Sequence, residues 1–235
     1  MKRIFFSLFA LLAVAFAAFA AEPHNYNLKV NDFTSLKVID SINVEYVGDP
    51  NSEGSASYVA TADMASLLVF SNNKGTLEIT LADNTTKYTG IPTVTVSSKF
   101  LTKVENDGDS TVRVSKVAPM PEFKARLVGN GRLSIKGLDT TTAIATIDSG
   151  NGTIVIDGKS TTAKFNNTGA GTIQADRLVA TDVKCRQIGT GSIGCLANGK
   201  LAVFGAGSGY IYYRGKPTSI QKRTIGIKLS PIDEE

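Results

Sequence analysis

The chain repeats one short phrase on a fixed schedule. Gly108-Asp109-Ser110 leads into the alternating Thr111-Val112-Arg113-Val114. The same corner-then-strand order returns at Gly129-Asn130-Gly131, Gly150-Asn151-Gly152, Gly169-Ala170-Gly171, Gly189-Thr190-Gly191 and Gly207-Ser208-Gly209. Measured at the last residue of each corner, the steps are 21, 21, 19, 20 and 18 residues. A near-constant period of about 20 residues marks a solenoid, in which each coil buries its apolar face only against its neighbours. The chain is expected to fold as a stack.

A stack must place one chemical type in each column. Two residues past the corner stand Val112, Leu133, Ile154, Ile173, Ile193 and Ile211. Four past it stand Val114, Ile135, Ile156, Ala175, Cys195 and Tyr213. Residues i and i+2 of a strand share a face, so both columns are expected in the core. On the approach side, eight before the corner, come Phe123, Ile144, Ala163, Val183 and Leu201, and six before it Ala125, Thr146, Phe165, Cys185 and Val203. Each coil therefore has at least two strands with the glycine corner between them. Arg113, Arg132, Ser134, Lys136, Lys164, Lys184 and Arg186 fall between the apolar columns and suit a solvated outer face. Glycine fits the corner because it reaches positive φ without penalty and leaves room where corners stack. A Gly-x-Gly can instead cradle phosphate at a helix N-terminus. Here each one leads into a β-branched strand.

Outside this region the beat fades. Lys2 and Arg3, the apolar run from Ile4 to Phe19 and the small-x-small Ala18-Phe19-Ala20 read as a signal peptide, residues 1–20, cleaved after Ala20. Residues 21–30 read as an extended N-terminal arm. Residues 31–215 read as one continuous solenoid domain, irregular to about residue 105. Residues 216–235 read as a final strand and capping tail. Phe33 to Val47 looks like two paired strands, Asp63 to Leu68 like a short helix, and Asn73-Lys74-Gly75 like a hairpin turn. Turn residues recur every 8 to 12 positions and no long 3.6-residue stripe appears, so the class is all-β.

The opening Phe33-Thr34-Ser35-Leu36-Lys37-Val38-Ile39-Asp40-Ser41-Ile42-Asn43-Val44, the segment Gly75-Thr76-Leu77-Glu78-Ile79, the leader and the Gly-x-Gly coils together resemble the head GIN domain family, described as auto-transporter adhesins, over about residues 31–215. The resemblance implies a single-stranded right-handed parallel β-helix and an adhesion-like role. It brings no catalytic motif. The stretch after Tyr213 is too short for a translocator barrel, so self-secretion through one is not expected.

The residues themselves carry little chemistry. The single histidine, His24, leaves no histidine-based dyad or multi-histidine zinc site. The chain has 25 basic and 21 acidic residues, and loss of Lys2 and Arg3 leaves 23 against 21. That balance gives no ground for a nucleic-acid or polyanion partner. Cys185 and Cys195 both fall in inward columns beside one corner and can form a disulfide or stay buried thiols. Asp107 and Asp109 are the candidates for a calcium corner. The equivalent positions in later coils, Asn130, Asn151, Ala170, Thr190 and Ser208, are not acidic. No cofactor is expected. Tyr210, Tyr212, Tyr213 and Arg214, or Lys164 with Asn166 and Asn167, are candidates to line a binding face. The expected role is non-catalytic: an exported protein of the periplasm, outer membrane or extracellular space that binds a glycan, a cell-wall polymer or an envelope protein, or serves as a scaffold. The alternative is a polysaccharide-degrading β-helix enzyme, a lyase or glycoside hydrolase, which needs carboxylates converging on neighbouring coils. The outward series Arg113, Ser134, Val155, Gln174, Gly194 and Tyr212 supplies none.

Overall fold

The computed structural model describes residues 22–83 and 85–232. The expected leader, residues 1–20, lies outside the described residues. In chain order β1 (His24–Lys29), β2 (Ser35–Ile39), β3 (Val44–Val47) and β4 (Ser55–Ala60) precede a short helix, α1 (Ala62–Leu67). Then come β5 (Leu68–Asn73), β6 (Thr76–Leu81), β7 (Val94–Ser97), β8 (Lys103–Asp107), β9 (Thr111–Ser115) and β10 (Met120–Val128). Three long strands each run through most of a coil: β11 (Arg132–Ser149), β12 (Thr153–Gly169) and β13 (Thr172–Gly189). The chain finishes with β14 (Ser192–Ala197), β15 (Lys200–Ala206), β16 (Tyr210–Arg214), β17 (Ser219–Ile225) and β18 (Lys228–Pro231). The result is an all-β solenoid of about six turns, about 20 residues apart.

Two parallel ladders form its long faces. The leaving face, made by the strand after each corner, runs β7–β3–β9–β11–β12–β13–β14–β16–β18. The return face, made by the strand before each corner, runs β6–β2–β8–β10–β11–β12–β13–β15–β17. A bend after Ile135, Val155 and Ala175, marked by register shifts, turns β11, β12 and β13 from the first face towards the second. The two orders share one departure from sequence. The coil made by β2 and β3 sits between the coil of β6 and β7 and the coil of β8 and β9. Phe33 to Val47 is therefore two sides of one coil, not a pair of strands bonded to each other.

The expected leaving-face column holds without a gap. Val112, Leu133, Ile154, Ile173, Ile193 and Ile211 are adjacent in register and wholly buried, and the column extends back to Val44 and Val94. The return column slips by one residue in β11. Phe123 pairs with Ala143 and Ala125 with Ala145, so Ala143, Ala145 and Ile147 point inward. Ile144 and Thr146, expected inside, are half-exposed. The cause is a bulge opposite Leu127 and Val128 that takes up one extra residue of β11, and a bulge reverses the sidedness of everything counted through it.

The two glycines of a corner do different work. Gly150 has φ +86, the region that favours glycine. Gly152 has no such φ, but a Cβ there would stand 2.6 Å from Leu127 Cδ2 and 2.7 Å from the Gly131 carbonyl oxygen of the coil before. Polar side chains inside the stack brace the same corners. The Asn106 amide donates to the Ser110 carbonyl (3.0 Å) and the Asn167 amide to the Gly171 carbonyl (2.7 Å). Both are buried, and Gln187 occupies the same column beside Asn167. Asn167 is thus a core residue and not part of an outer binding face.

The two ends differ. At the start, β4 adds antiparallel to β7, β1 adds antiparallel to β4, and the β5–β6 hairpin turns through Lys74 (φ 51) and Gly75 (φ 76). Tyr58 stacks between Tyr26 (5.1 Å) and Phe70 (5.9 Å) to seal this end. At the other end, among the described residues, β17 pairs with β15 alone, and the inward column passes from Val203 to Lys222.

Candidate functional site

Inward positions are consumed by packing, so only the outward columns can meet a partner. On the leaving face one outward column reads Arg113, Ser134, Val155, Gln174, Gly194, Tyr212. Around it lies a groove of about 660 Å³. Arg132, Thr172 and Ser192 form one wall and Lys136, Asp157, Asp176 and Arg177 the other, with Tyr212 at the far end. The Ser192 and Thr172 hydroxyls are 3.3 Å apart across neighbouring coils. A shallow depression of about 510 Å³ beside Tyr26, Tyr58 and Pro92 at the capped end has no charged lining residue.

Gly194 sets the depth of the groove. It lies within β14, where glycine weakens a strand relative to alanine. Neither of the reasons that require glycine at the corners applies to it. Its φ is ordinary, and a Cβ would meet nothing closer than 3.8 Å, at Asp176. What its hydrogen preserves is empty space on the outer face.

The tyrosines expected to bind do stand outward. Tyr210 and Tyr212 are each 37% exposed and their rings stack 5.8 Å apart at 3°. Lys228 Nζ sits 5.3 Å above the Tyr210 ring, so Tyr212 is the ring that faces the groove. Arg214 is part-exposed but is not a free cation. Its Nε is buried and 3.6 Å from the Asp176 carboxylate. Tyr213 packs partly against the core.

The structure also brings in carboxylates that the outward series had not shown. Asp157 and Asp176 lie on successive coils just past the bend, where counting from the corner loses the face. Asp157 Oδ1 accepts the Gly137 N–H (2.6 Å), and Asp176 is engaged by Arg214. Among the described residues, no group of three or more His, Cys, Asp or Glu is arranged to hold a metal ion. Asp109 is occupied in the corner stack, where its Oδ1 accepts the Asn130 N–H (3.3 Å) and Asn130 Oδ1 accepts the Asn151 N–H (3.1 Å). Asp107 stands at the end of β8. The acid between these corners and the core, Glu105, is bound by Arg126 (2.8 Å) and Lys103 (3.2 Å). His24 is exposed on β1. Cys185 and Cys195 are fully buried free thiols on the return and leaving sides of one coil. The hydrogen bond with Cys195, with burial added, pushes the Cys185 thiol well above the ordinary range.

The profile of the family described as "Putative auto-transporter adhesin, head GIN domain" matches residues 32–217. The chain belongs to the head GIN domain family. Solved structures share this head GIN fold. A "putative adhesin" from Bacteroides fragilis superposes with a TM-score of 0.82 at 20% identity, covering 90% of this chain and 97% of that one. A "putative adhesin" from Parabacteroides distasonis gives 0.74 at 18% identity, covering 91% and 98%. A "putative lipid binding protein" from the same species gives 0.70 at 20% identity, also covering 91% and 98%. At these identities the likeness is one of fold. No curated protein matches the chain in sequence. Among its described residues, this head GIN chain has no helix long and apolar enough to cross a membrane.

Proposed function

We propose that the chain is an exported, non-catalytic, adhesion-like module that holds a short run of neutral glycan in the leaving-face groove. The observation that carries this is Gly194, an in-strand glycine whose backbone does not need it and whose missing side chain opens the groove. The lining agrees. Hydroxyls of Ser134, Thr172 and Ser192, the Gln174 amide, guanidinium and carboxylate groups and one tyrosine ring offer hydrogen bonds and a stacking surface. The volume lies in the range of about 300–1,000 Å³ usual for small-ligand sites. The family name supports adhesion, and the leader read from Lys2 to Ala20 supports export to the periplasm, outer membrane or cell exterior.

The test is an array of glycans and cell-wall polymers probed with leaderless protein, with and without calcium, followed by titration of any hit. The expected result is saturable, calcium-independent binding that Gly194→Leu abolishes and Tyr212→Ala weakens about tenfold, which is about 1.4 kcal/mol. Undiminished binding by Gly194→Leu would remove the groove from consideration. Calcium-dependent binding would move the site to the Asp107–Asp109 corner. Asp157 and Asp176 on one groove wall favour one second reading, the polysaccharide-degrading enzyme. New reducing ends released from the bound glycan, and lost in Asp157→Asn, would put that reading first.

A further inference from the structure

The outward side of the return face changes character halfway along the stack. On β2, β8 and β10 each cation has an acidic neighbour: Lys37 with Glu78 (3.5 Å), Lys103 with Glu105 (3.2 Å), Lys124 with Glu122 (2.7 Å), and Arg126 with Glu105 (2.8 Å) and Asp148 (2.5 Å). From β12 onward Lys164, Lys184, Arg186 and Arg223 are exposed. Among the described residues none of the four has a carboxylate within 4.0 Å. The acid nearest to them in sequence, Asp182, is turned to the Lys200 backbone N–H (3.0 Å).

The arrangement works against stability. Lys164 lies directly opposite Lys184 on the neighbouring strand, and Asn166 opposite Arg186. Like charges facing each other on strands about 4.8 Å apart repel. An anion lying over both would turn that repulsion into attraction. Lys184 is already fixed in place, with its ammonium 5.1 Å from the centre of the Phe204 ring. Thr146, Thr162 and Asn166 lie beside the cations as hydrogen-bonding groups suited to sugar hydroxyls. Ile144 and Phe204, the apolar side chains opposite Lys164 and Arg186, are only part-exposed, and the exposed Val179 of β13 stands alone five residues before Lys184, so this surface lacks the broad apolar patch that membrane insertion needs.

We propose that this half of the return face binds a linear acidic polysaccharide lying along the stack, its successive carboxylate or sulfate groups meeting Lys164, Lys184 and Arg186. The Arg186 guanidinium suits two-point contact with such a group, and the lysines supply charge at the coil spacing. This surface is separate from the Gly194 groove, and its success or failure is independent of that site.

Binding of leaderless protein to polygalacturonate and to dextran sulfate is measured beside neutral dextran, single-stranded DNA and phosphatidylglycerol vesicles, at low and high salt. At least one acidic polysaccharide is expected to bind saturably at low salt and release at high salt. The double variant Lys164→Gln/Lys184→Gln should weaken it about tenfold. Lys124→Gln, from the ion-paired half, and Gly194→Leu should leave it unchanged. The double variant should also shift the urea midpoint upward, because it removes a facing like-charge pair. Equal binding of neutral dextran, tighter binding of DNA or vesicles than of either polysaccharide, or an undiminished double variant would each overturn the proposal. Polygalacturonate against dextran sulfate decides between carboxylate and sulfate.

Discussion

At the scale of single residues, glycine has three uses in this chain, and substitution should separate them. Gly152→Ala drives a methyl into Leu127 and the Gly131 carbonyl, and the stack must open to admit it. Gly137, at φ +67 with open space around its Cβ position, should lose about 1–2 kcal/mol as alanine, for backbone conformation alone. Gly194→Ala meets only ordinary contacts and should gain about 0.5–1 kcal/mol. Urea unfolding of the three variants should rank Gly152→Ala lowest and Gly194→Ala above wild type. The corner glycines are legible from their period. Gly194 is not, since sequence alone cannot distinguish a glycine required by the backbone from one required by a space. The thiols offer a second test. In the unfolded chain Cys185 ionises near pH 8.5, while its raised folded pKa keeps it protonated. Its contribution is therefore complete below about pH 8 and is lost as pH rises beyond that. The difference in urea midpoint between wild type and Cys185→Ala should narrow from pH 7 to pH 10. Without reductant, iodoacetamide should label neither cysteine in the native protein and both after denaturation.

At the scale of elements, the open end is controlled by β17. Its chain enters the inward column with Lys222 where the previous coil has Val203, and next to it Thr224 follows Gly205. A charge in a core column cannot be buried by another coil, so stacking of a second molecule on this edge is disfavoured. Lys222→Val should restore an apolar rung beside the exposed Ile220 and Ile225, and light scattering should then show concentration-dependent association absent from wild type. Much of this element level was legible. The hairpin at Asn73-Lys74-Gly75, the helix near Asp63 and the leaving-face column all follow from local pattern. The return side of β11 was not, because counting back from Gly152 crosses the bulge. Asn106, Asn167 and Gln187 share a position four before the last corner residue, a recurrence that could have marked them as inward braces. Polarity alone places Asn167 on an outer face instead. The bend also hid Asp157 and Asp176, since the corner sets the face only for the strand that follows it.

Across the whole molecule, each coil meets only its neighbours, and stability should behave as a sum along one axis. Truncation after Gly215 removes β17 and β18 and uncovers Val203 and Ile211, both wholly buried in the full stack. The shortened protein should keep a β-type circular dichroism spectrum and unfold at a lower urea midpoint. The order of coils at the capped end was illegible for a physical reason. Val44, Val94 and Val112 present the same apolar face, so the pattern cannot state which coil lies against which.

That clasped coil also sets a timetable. β2 and β3 are made before either neighbouring coil, one of which is completed only at Ser97 and the other only at Ser115. A chain emerging amino-end first, from a ribosome or through a narrow translocation channel, has no means to close its own beginning. Until Ser97 is out the opening strands have unfilled edges on both sides, and until Ser115 on one, so the leading segment stays threadable for as long as passage requires.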